Sequence, residues 1–450
     1  MQTMRSWLNS LYHRLVENEL SRRIIKNMGY LFSSTGISAA ISMLQGILAA
    51  RLLGVADFGI LGAITVFTSV INNLVSFRMS ELVVKYVGKY TVEGEPRKAA
   101  AVFKLAALVE MLASIIAFGL VCVLAPVGAK FFAKDISLSG LFIFYGFILL
   151  ANLIAESSIG LLQIFDKFRN IAAINVLQSL VTLAIIVVIY FSDGDLIGIL
   201  LAYLCGKFVG ALGLTSIALV EATHRWGKWW LSPVSQLRAH FKELTNFAIN
   251  SNFSASISLV TKDSEILWVS FFRNPVETGF YKLALALSNM VQLPVNPMPQ
   301  ATYPELSREV ASLNWNNVRY VLRQGSILAG AYTLAVTVFL LLFGKSLISW
   351  LYGPEFLKAF PALMVLLIGF LVANTFYWRR IALLALGQPG FPARLNFVLA
   401  ALKVLGIIIL VPRYGFIASA ALLSAFYWAG SILSVIKIRS TLIQQEQPYP

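Results

Sequence analysis

Twelve stretches of roughly 20 mostly apolar residues recur along the chain, each bounded by charge, proline or glycine. That is the length an α-helix needs to cross a hydrocarbon layer about 30 Å thick. They lie near 28–53, 58–77, 101–125, 138–161, 170–191, 196–220, 246–271, 276–301, 324–344, 361–386, 392–412 and 414–437. Strands of a membrane barrel would be about ten residues long with strict alternation, which these runs lack. The expected fold is therefore an all-α membrane protein with twelve transmembrane helices. Composition removes the soluble alternative. The chain is 58% hydrophobic and 13% charged, whereas a globular domain carries about 25% charged residues to cover its surface. Soluble enzymes and nucleic-acid-binding modules are excluded on that ground, and no nucleic-acid partner is expected.

The net charge of +15 is first a topology signal. Of the 36 Lys and Arg, 24 fall on the side that holds both termini and only six in the alternate loops. Basic residues accumulate on the cytoplasmic side, so both termini are expected to be cytoplasmic. Residues 1–27 carry Trp7, Leu8, Leu11, Leu15, Val16 and Leu20 at helical spacing among five basic residues. This pattern suits an amphipathic helix lying in the interface rather than a secretory signal. The polar, Pro-containing end from Gln444 closes a cytoplasmic tail over 438–450. Cys122 and Cys205 sit in apolar runs without a CxxC or a nearby His pair and read as small buried hydrophobes, with no metal site.

The longest cytoplasmic loop, 221–245, divides the chain into an N-lobe (28–220) and a C-lobe (246–437) of six spans each. An even number of spans per half gives both halves the same orientation, the parallel-repeat arrangement of many transporters. Gly54-Val-Ala-Asp-Phe-Gly59 resembles Asn274-Pro-Val-Glu-Thr-Gly279, and Ser80-Glu-Leu82 resembles Pro304-Glu-Leu306. Two like bundles that expose a midplane site alternately to either side point to transport. No HExxH, GxSxG, Walker or paired-carboxylate motif is present, and His13, His224 and His240 all lie outside the spans. The chain is not expected to be an enzyme, and it needs no cofactor beyond a coupling proton or sodium ion.

Ionisable side chains in hydrocarbon are costly unless they face water or a partner, so the intramembrane set is the guide to a site. The basic members are Arg51, Lys104, Lys207, Lys262, Lys282 and Lys403, and the acidic ones are Glu110, Glu156, Asp263 and Glu265. The basic excess suits an anionic, phosphate-bearing substrate. Arg51, Lys207, Lys262, Lys282 and Lys403 are the candidate substrate-binding cations. Arg51, Lys282 and Lys104 stand near span ends, where snorkelling also accounts for them; Lys207 and Lys403 are mid-span, in a cavity or in buried pairs. The candidate ion-coupling carboxylates are Asp263, Glu265, Glu156 and Glu110. Lys262 and Glu265 are three apart and could pair across one helical turn. Pro294, Pro297 and Pro299 crowd one span and predict a bend or unwinding there, a candidate hinge. Trp378-Arg379-Arg380 reads most simply as an aromatic and cationic anchor at the cytoplasmic interface.

Ala50-Arg-Leu-Leu-Gly-Val-Ala-Asp-Phe-Gly59, Asp263 followed by Gly279-Phe-Tyr-Lys-Leu-Ala284, and Tyr303-Pro-Glu-Leu306 resemble the polysaccharide transporter family of O-antigen (Wzx-type) flippases. The plan of twelve spans matches as well. The resemblance implies a bacterial inner-membrane protein that moves undecaprenyl-pyrophosphate-linked oligosaccharide, the repeat unit of O-antigen, lipopolysaccharide or exopolysaccharide, from the cytoplasmic to the periplasmic leaflet. It implies the two-lobed V-shaped fold of MATE exporters, and a cationic cavity onto which Lys262, Asp263 and Arg51 would map. Membrane lipids, the polysaccharide polymerase and the chain-length machinery are the partners it implies. A MATE-like, proton- or sodium-coupled exporter of small solutes is the alternative, but organic cations would favour acidic over basic cavity residues.

Overall fold

Gly54 marks the first departure from a straight helix. The computed structural model describes residues 19–247, 259 and 263–446, with side chains from residue 29 onward except at 239 and 446. Within it helix α1, Glu19–Val75, is continuous through the first two expected spans except at Gly54, whose φ of 67° lies in the left-handed region. Only glycine takes that conformation without a steric penalty, so the chain kinks there.

The other helices follow the apolar runs. They are α2 (Met79–Val92), α3 (Pro96–Gly128), α4 (Ser139–Ala151), α5 (Ala155–Ile164), α6 (Phe168–Phe191), α7 (Leu196–Trp226), α8 (Glu265–Phe272), α9 (Pro275–Gln292), α10 (Met298–Ala311), α11 (Trp315–Leu351), α12 (Phe360–Thr375), α13 (Arg379–Ala385), α14 (Gly390–Tyr414) and α15 (Phe416–Glu446). No strand occurs among the described residues. Nine helical stretches among those residues are long and apolar enough to cross a membrane, the first, Gly29–Val75, holding two of the expected spans. The chain is a multi-pass, all-helical membrane protein.

Three spans are interrupted among the described residues. Residues 152–154 form a turn between α4 and α5, residues 376–378 between α12 and α13, and residues 293–297, which include Pro294 and Pro297, between α9 and α10. Pro299 falls in the first turn of α10, where a missing N–H costs nothing. At its other end α15 runs to Glu446, past the expected boundary at 437. The cause is packing: Ile438 and Leu442, four residues apart, are 2% and 5% exposed and continue the buried stripe. Most of the interfacial helix expected over 1–27, residues 447–450 of the tail, and Lys262 lie outside the described residues.

Two compact units emerge. Among the described residues, unit 1 falls within 1–46, 74–122 and 145–253, and unit 2 within 47–73, 123–144 and 254–450. Unit 2 thus gathers the C-terminal half of α1 with the helices of the second half of the chain. The join is tight. A Cβ on Gly59 would stand 1.9 Å from the Pro275 carbonyl oxygen, and one on Gly279 would stand 2.1 Å from that of Val55. Lipid supplies no hydrophobic drive for helix association, so close backbone approach at small residues and polar contacts must hold these helices together.

Each unit has a core at the end of its bundle, built to one pattern. In unit 1, Leu82 of α2, Ala99 and Phe103 of α3, Leu161 of α5, and Ala218 and Ala222 of α7 are buried together with Leu237 and Leu244 of the following linker. In unit 2, Leu306 of α10, Val318 and Leu322 of α11, Leu383 of α13, and Ile438 and Leu442 of α15 form the counterpart. Val318 and Leu322 stand 219 residues after Ala99 and Phe103, and Ile438 and Leu442 stand 220 after Ala218 and Ala222.

Candidate functional site

A helix that begins inside hydrocarbon presents backbone N–H groups with no water to meet them, and α5 begins this way. Glu110 of α3 answers it. Its Oε1 accepts the Glu156 amide at 2.7 Å, and its Oε2 accepts the amide and the hydroxyl of Ser157 at 2.8 and 2.6 Å. The positive end of the helix also favours a carboxylate at this point. Glu110 is 5% exposed and has no cation among these contacts. Beside it on α5, Glu156 faces the Met79 amide and lies in the field of Arg78, Glu81 and Lys207 of α7. One of its oxygens, Oε2, is buried without a hydrogen-bond partner among the described residues. Two carboxylates and a half-buried lysine therefore meet at the broken fourth span, all within unit 1. Sequence reasoning named Glu110, Glu156 and Lys207 separately. It missed Ser157 and the break itself, whose signal was the polar Asn152 and the Glu156-Ser-Ser158 run within an apolar stretch.

Unit 2 holds a second buried cluster with different chemistry. Glu265, in the first turn of α8, is 1% exposed, and its Oε1 is ion-paired with Nζ of Lys403 from α14, itself 4% exposed. Tyr281 of α9 and Ser419 of α15 donate their hydroxyls to Oε2 at 2.5 and 3.1 Å. Four helices thus converge on one carboxylate, three of them supplying its partners. Lys403 is a pairing residue deep in the unit, and Glu265 already holds a cation. Tyr281 and Ser419 carried no sequence signal, since hydroxyls are common on such helices. Asp263 precedes this cluster by half a turn and is exposed.

The remaining cations make more local contacts. Arg51 donates from Nε to the Leu351 carbonyl at 2.7 Å and from Nη2 to that of Trp350, closing the C-terminal end of α11. It also borders a cleft of about 650 Å³ with Lys345, Ser346 and Ser349. Lys282 of α9 donates to the Phe58 carbonyl at 3.1 Å and lies 3.9 Å from the centre of the Phe58 ring. Lys104 donates to the Trp230 carbonyl at 2.7 Å. Arg379 differs from the expected interfacial anchor: it is partly buried and donates to the Tyr427 carbonyl at 3.1 Å and the Ser431 hydroxyl at 2.6 Å, whereas Arg380 is exposed. The cause is the turn at 376–378, which points the first residue of α13 at α15. Outside the spans, Tyr86 donates to Oε1 of Glu243 at 3.0 Å, and burial together with that carboxylate pushes its hydroxyl up to about 12.

The comparisons with known proteins agree with this architecture. A profile of the family described as "Polysaccharide biosynthesis protein" matches residues 24–309. "Inner membrane protein YghQ" of Escherichia coli (strain K12) is 23% identical over 343 residues, which is 75% of this chain and 95% of that protein. Among solved structures, an inward-facing multidrug resistance MATE family transporter of the MOP superfamily superposes with a TM-score of 0.71 at 14% identity, covering 92% of this chain and 96% of its own. The lipid II flippase MurJ in an inward closed conformation gives 0.69 at 14% identity, covering 92% and 89%. These superpositions establish the fold of the MOP-superfamily transporters. With the profile extending over more than half of its length, this chain belongs to the polysaccharide biosynthesis protein family.

Proposed function

We propose that the protein is a flippase that carries undecaprenyl-pyrophosphate-linked oligosaccharide, an O-antigen or exopolysaccharide repeat unit, from the cytoplasmic to the periplasmic leaflet of a bacterial inner membrane, with both termini cytoplasmic. The reading rests on one combination: membership of a polysaccharide biosynthesis family, carried on a transporter fold whose intramembrane charge is predominantly basic. A pyrophosphate and a chain of hydroxyls cannot enter hydrocarbon without replacement of their water, and cationic and polar side chains supply it. The polyprenyl tail needs no such replacement and stays in lipid.

Lys262, Arg51, Lys207 and Lys282 are the substrate cations in this reading. Lys403 leaves that group because Glu265 engages it. Transport is proton- or sodium-coupled through alternating access, and the Glu110–Glu156 pair and Asp263 are the coupling carboxylates. Glu265 has no further cation to take while Lys403 is in place. Pro294 and Pro297, in the turn between α9 and α10, and Pro299 form the hinge. The polymerase and chain-length machinery receive the product, and the flippase itself makes and breaks no covalent bond.

Reconstitution in proteoliposomes tests the proposal. Lipid-linked oligosaccharide is placed in both leaflets, and the fraction accessible to a membrane-impermeant glycosidase is followed with an imposed proton or sodium gradient. Gradient-dependent transfer that Glu156→Gln abolishes is the expected result. Transfer at the rate of protein-free vesicles would refute it and leave export of a small solute as the account to pursue.

A further inference from the structure

Where α11 and α15 end together in unit 2, a cleft of about 560 Å³ is lined by Arg319 and Arg323 of α11, Arg439 of α15, and an apolar floor that includes Leu322, Phe376 and Ile438. Arg319 and Arg323 are one helical turn apart on one face. All three arginines are exposed, while Leu322 and Ile438 are 7% and 2% exposed. Trp378 closes the inner wall, held by a 2.7 Å hydrogen bond from Nε1 to the Ser326 hydroxyl. No acidic side chain is found among the described residues that line the cleft. It is thus an amphipathic groove, cationic at its mouth and apolar within.

Unit 1 shows what such a groove takes. Lys104 stands 219 residues before Arg323, the spacing that relates Phe103 to Leu322. Its ammonium donates to the carbonyl oxygens of Trp230 at 2.7 Å and Ser232 at 3.4 Å in the linker that follows α7. The same linker lays Trp229 against Phe103, with ring centres 5.1 Å apart, and buries Leu237 completely. The site in unit 1 is therefore filled by a segment that brings oxygen acceptors to the cation and apolar bulk to the floor. In unit 2 no described segment does this. Its occupant must supply the same two things to the Arg323 and Arg439 guanidinium groups instead of one ammonium.

We propose that this cleft binds one anionic phospholipid of the adjacent leaflet, cytoplasmic in the orientation given above. The phosphodiester sits between Arg323 and Arg439, and an acyl chain lies along Leu322, Phe376 and Ile438. Guanidinium forks match phosphate oxygens in a bidentate way. Basic pockets between transmembrane helices at this depth recognise anionic headgroups, each cation near the surface contributing about fivefold in affinity. The site is separate from the carboxylate clusters, so it would hold whether the protein carries a lipid-linked sugar or another cargo.

Native mass spectrometry of the full-length protein in detergent, titrated with phosphatidylglycerol, phosphatidylcholine or undecaprenyl phosphate, tests this directly. The expected result is one saturable phosphatidylglycerol per chain and no comparable phosphatidylcholine adduct. Arg323→Gln with Arg439→Gln should weaken the phosphatidylglycerol adduct about 30-fold. Arg323→Lys with Arg439→Lys, which keeps the charge but not the bidentate fork, should weaken it less than the Gln pair does, which separates lost charge from lost fold, and Arg308→Gln, an exposed arginine paired with Glu305, should leave it unchanged. Equal retention of phosphatidylcholine, or unchanged binding in the double Gln variant, overturns the proposal. So does binding that appears only after deletion of residues 447–450, which would make the chain's own tail the occupant. Saturable uptake of undecaprenyl phosphate without phosphatidylglycerol overturns it as well, because the cleft would then be a station for the substrate lipid.

Discussion

Lys403→Met isolates the cost of leaving a carboxylate alone in the interior of unit 2. In the native protein Glu265 and Lys403 are 1% and 4% exposed and paired with each other, and the Tyr281 and Ser419 hydroxyls occupy the other oxygen. Replacing the lysine with a methionine of similar length keeps the volume and removes the charge. Two hydroxyl donors remain, which is too little to stabilise a buried anion, and removing one partner of a buried pair costs about 3–5 kcal/mol. That corresponds to about two to four powers of ten in the unfolding equilibrium. Glu265→Gln in the same background removes the orphan charge, and its amide oxygen still accepts from a hydroxyl. The double variant should therefore recover most of the loss, because replacing both ions of a buried pair is often close to neutral. The assay is thermal unfolding of the purified protein in detergent, followed by loss of the monodisperse gel-filtration peak. The expected order is wild type near the double variant, with Lys403→Met well below both. If Lys403→Met melts with wild type, or if the double variant is worse than the single one, the reasoning about this ion pair is wrong.

Substitutions at four further positions probe the other features. Gly279→Ala places a Cβ 2.1 Å from the Val55 carbonyl oxygen, and relieving that overlap should cost about 1–3 kcal/mol. Gly119→Ala, where nothing lies within 4 Å, should be neutral or stabilising by up to about 1 kcal/mol in the same melting experiment. Glu110→Ala strands the Glu156 and Ser157 amides and should destabilise by about 1–3 kcal/mol; Glu110→Gln keeps one acceptor and should lose less, a ranking read by denaturant titration. Arg51→Gln removes donors to the last carbonyls of α11, an exposed contact that should contribute about 0.3–1 kcal/mol. A transport defect much larger than its melting shift would mark Arg51 as a substrate cation, and equal small effects would mark it as a cap.

The apolar runs were legible because the membrane imposes a local rule: about 20 residues must satisfy their own backbone groups, and no distant partner changes that. Ten of the twelve expected spans fall in the nine apolar helical stretches, two of them in the helix kinked at Gly54, whose glycine also stands out in sequence. What sequence could not supply is pairing at long range. Lys403 and Glu265 are 138 residues apart, and a lysine in mid-span reads equally as a cavity cation until its partner is seen. The break between α4 and α5 has the same origin, since the carboxylate that caps α5 comes from Glu110, 46 residues before Glu156. Arg379 looked like an anchor because Trp378 and Arg380 flank it, and only the turn at 376–378 sends its side chain to α15. The extension of α15 was half visible in the spacing of Ile438 and Leu442, but Lys437 and Arg439 on either side of Ile438 resemble the charged end of a span.

The central claim is that the protein transfers a lipid-linked oligosaccharide between leaflets. Its most direct test is leaflet-resolved accumulation of undecaprenyl-linked oligosaccharide in cells lacking the protein, with wild type and Lys262→Ala returned in parallel. A complete repeat unit stranded on the cytoplasmic leaflet, release by wild type, and no release by Lys262→Ala are the expected results. A repeat unit that reaches the periplasmic leaflet at the normal rate in the deletion strain, with no other flippase present, would contradict it.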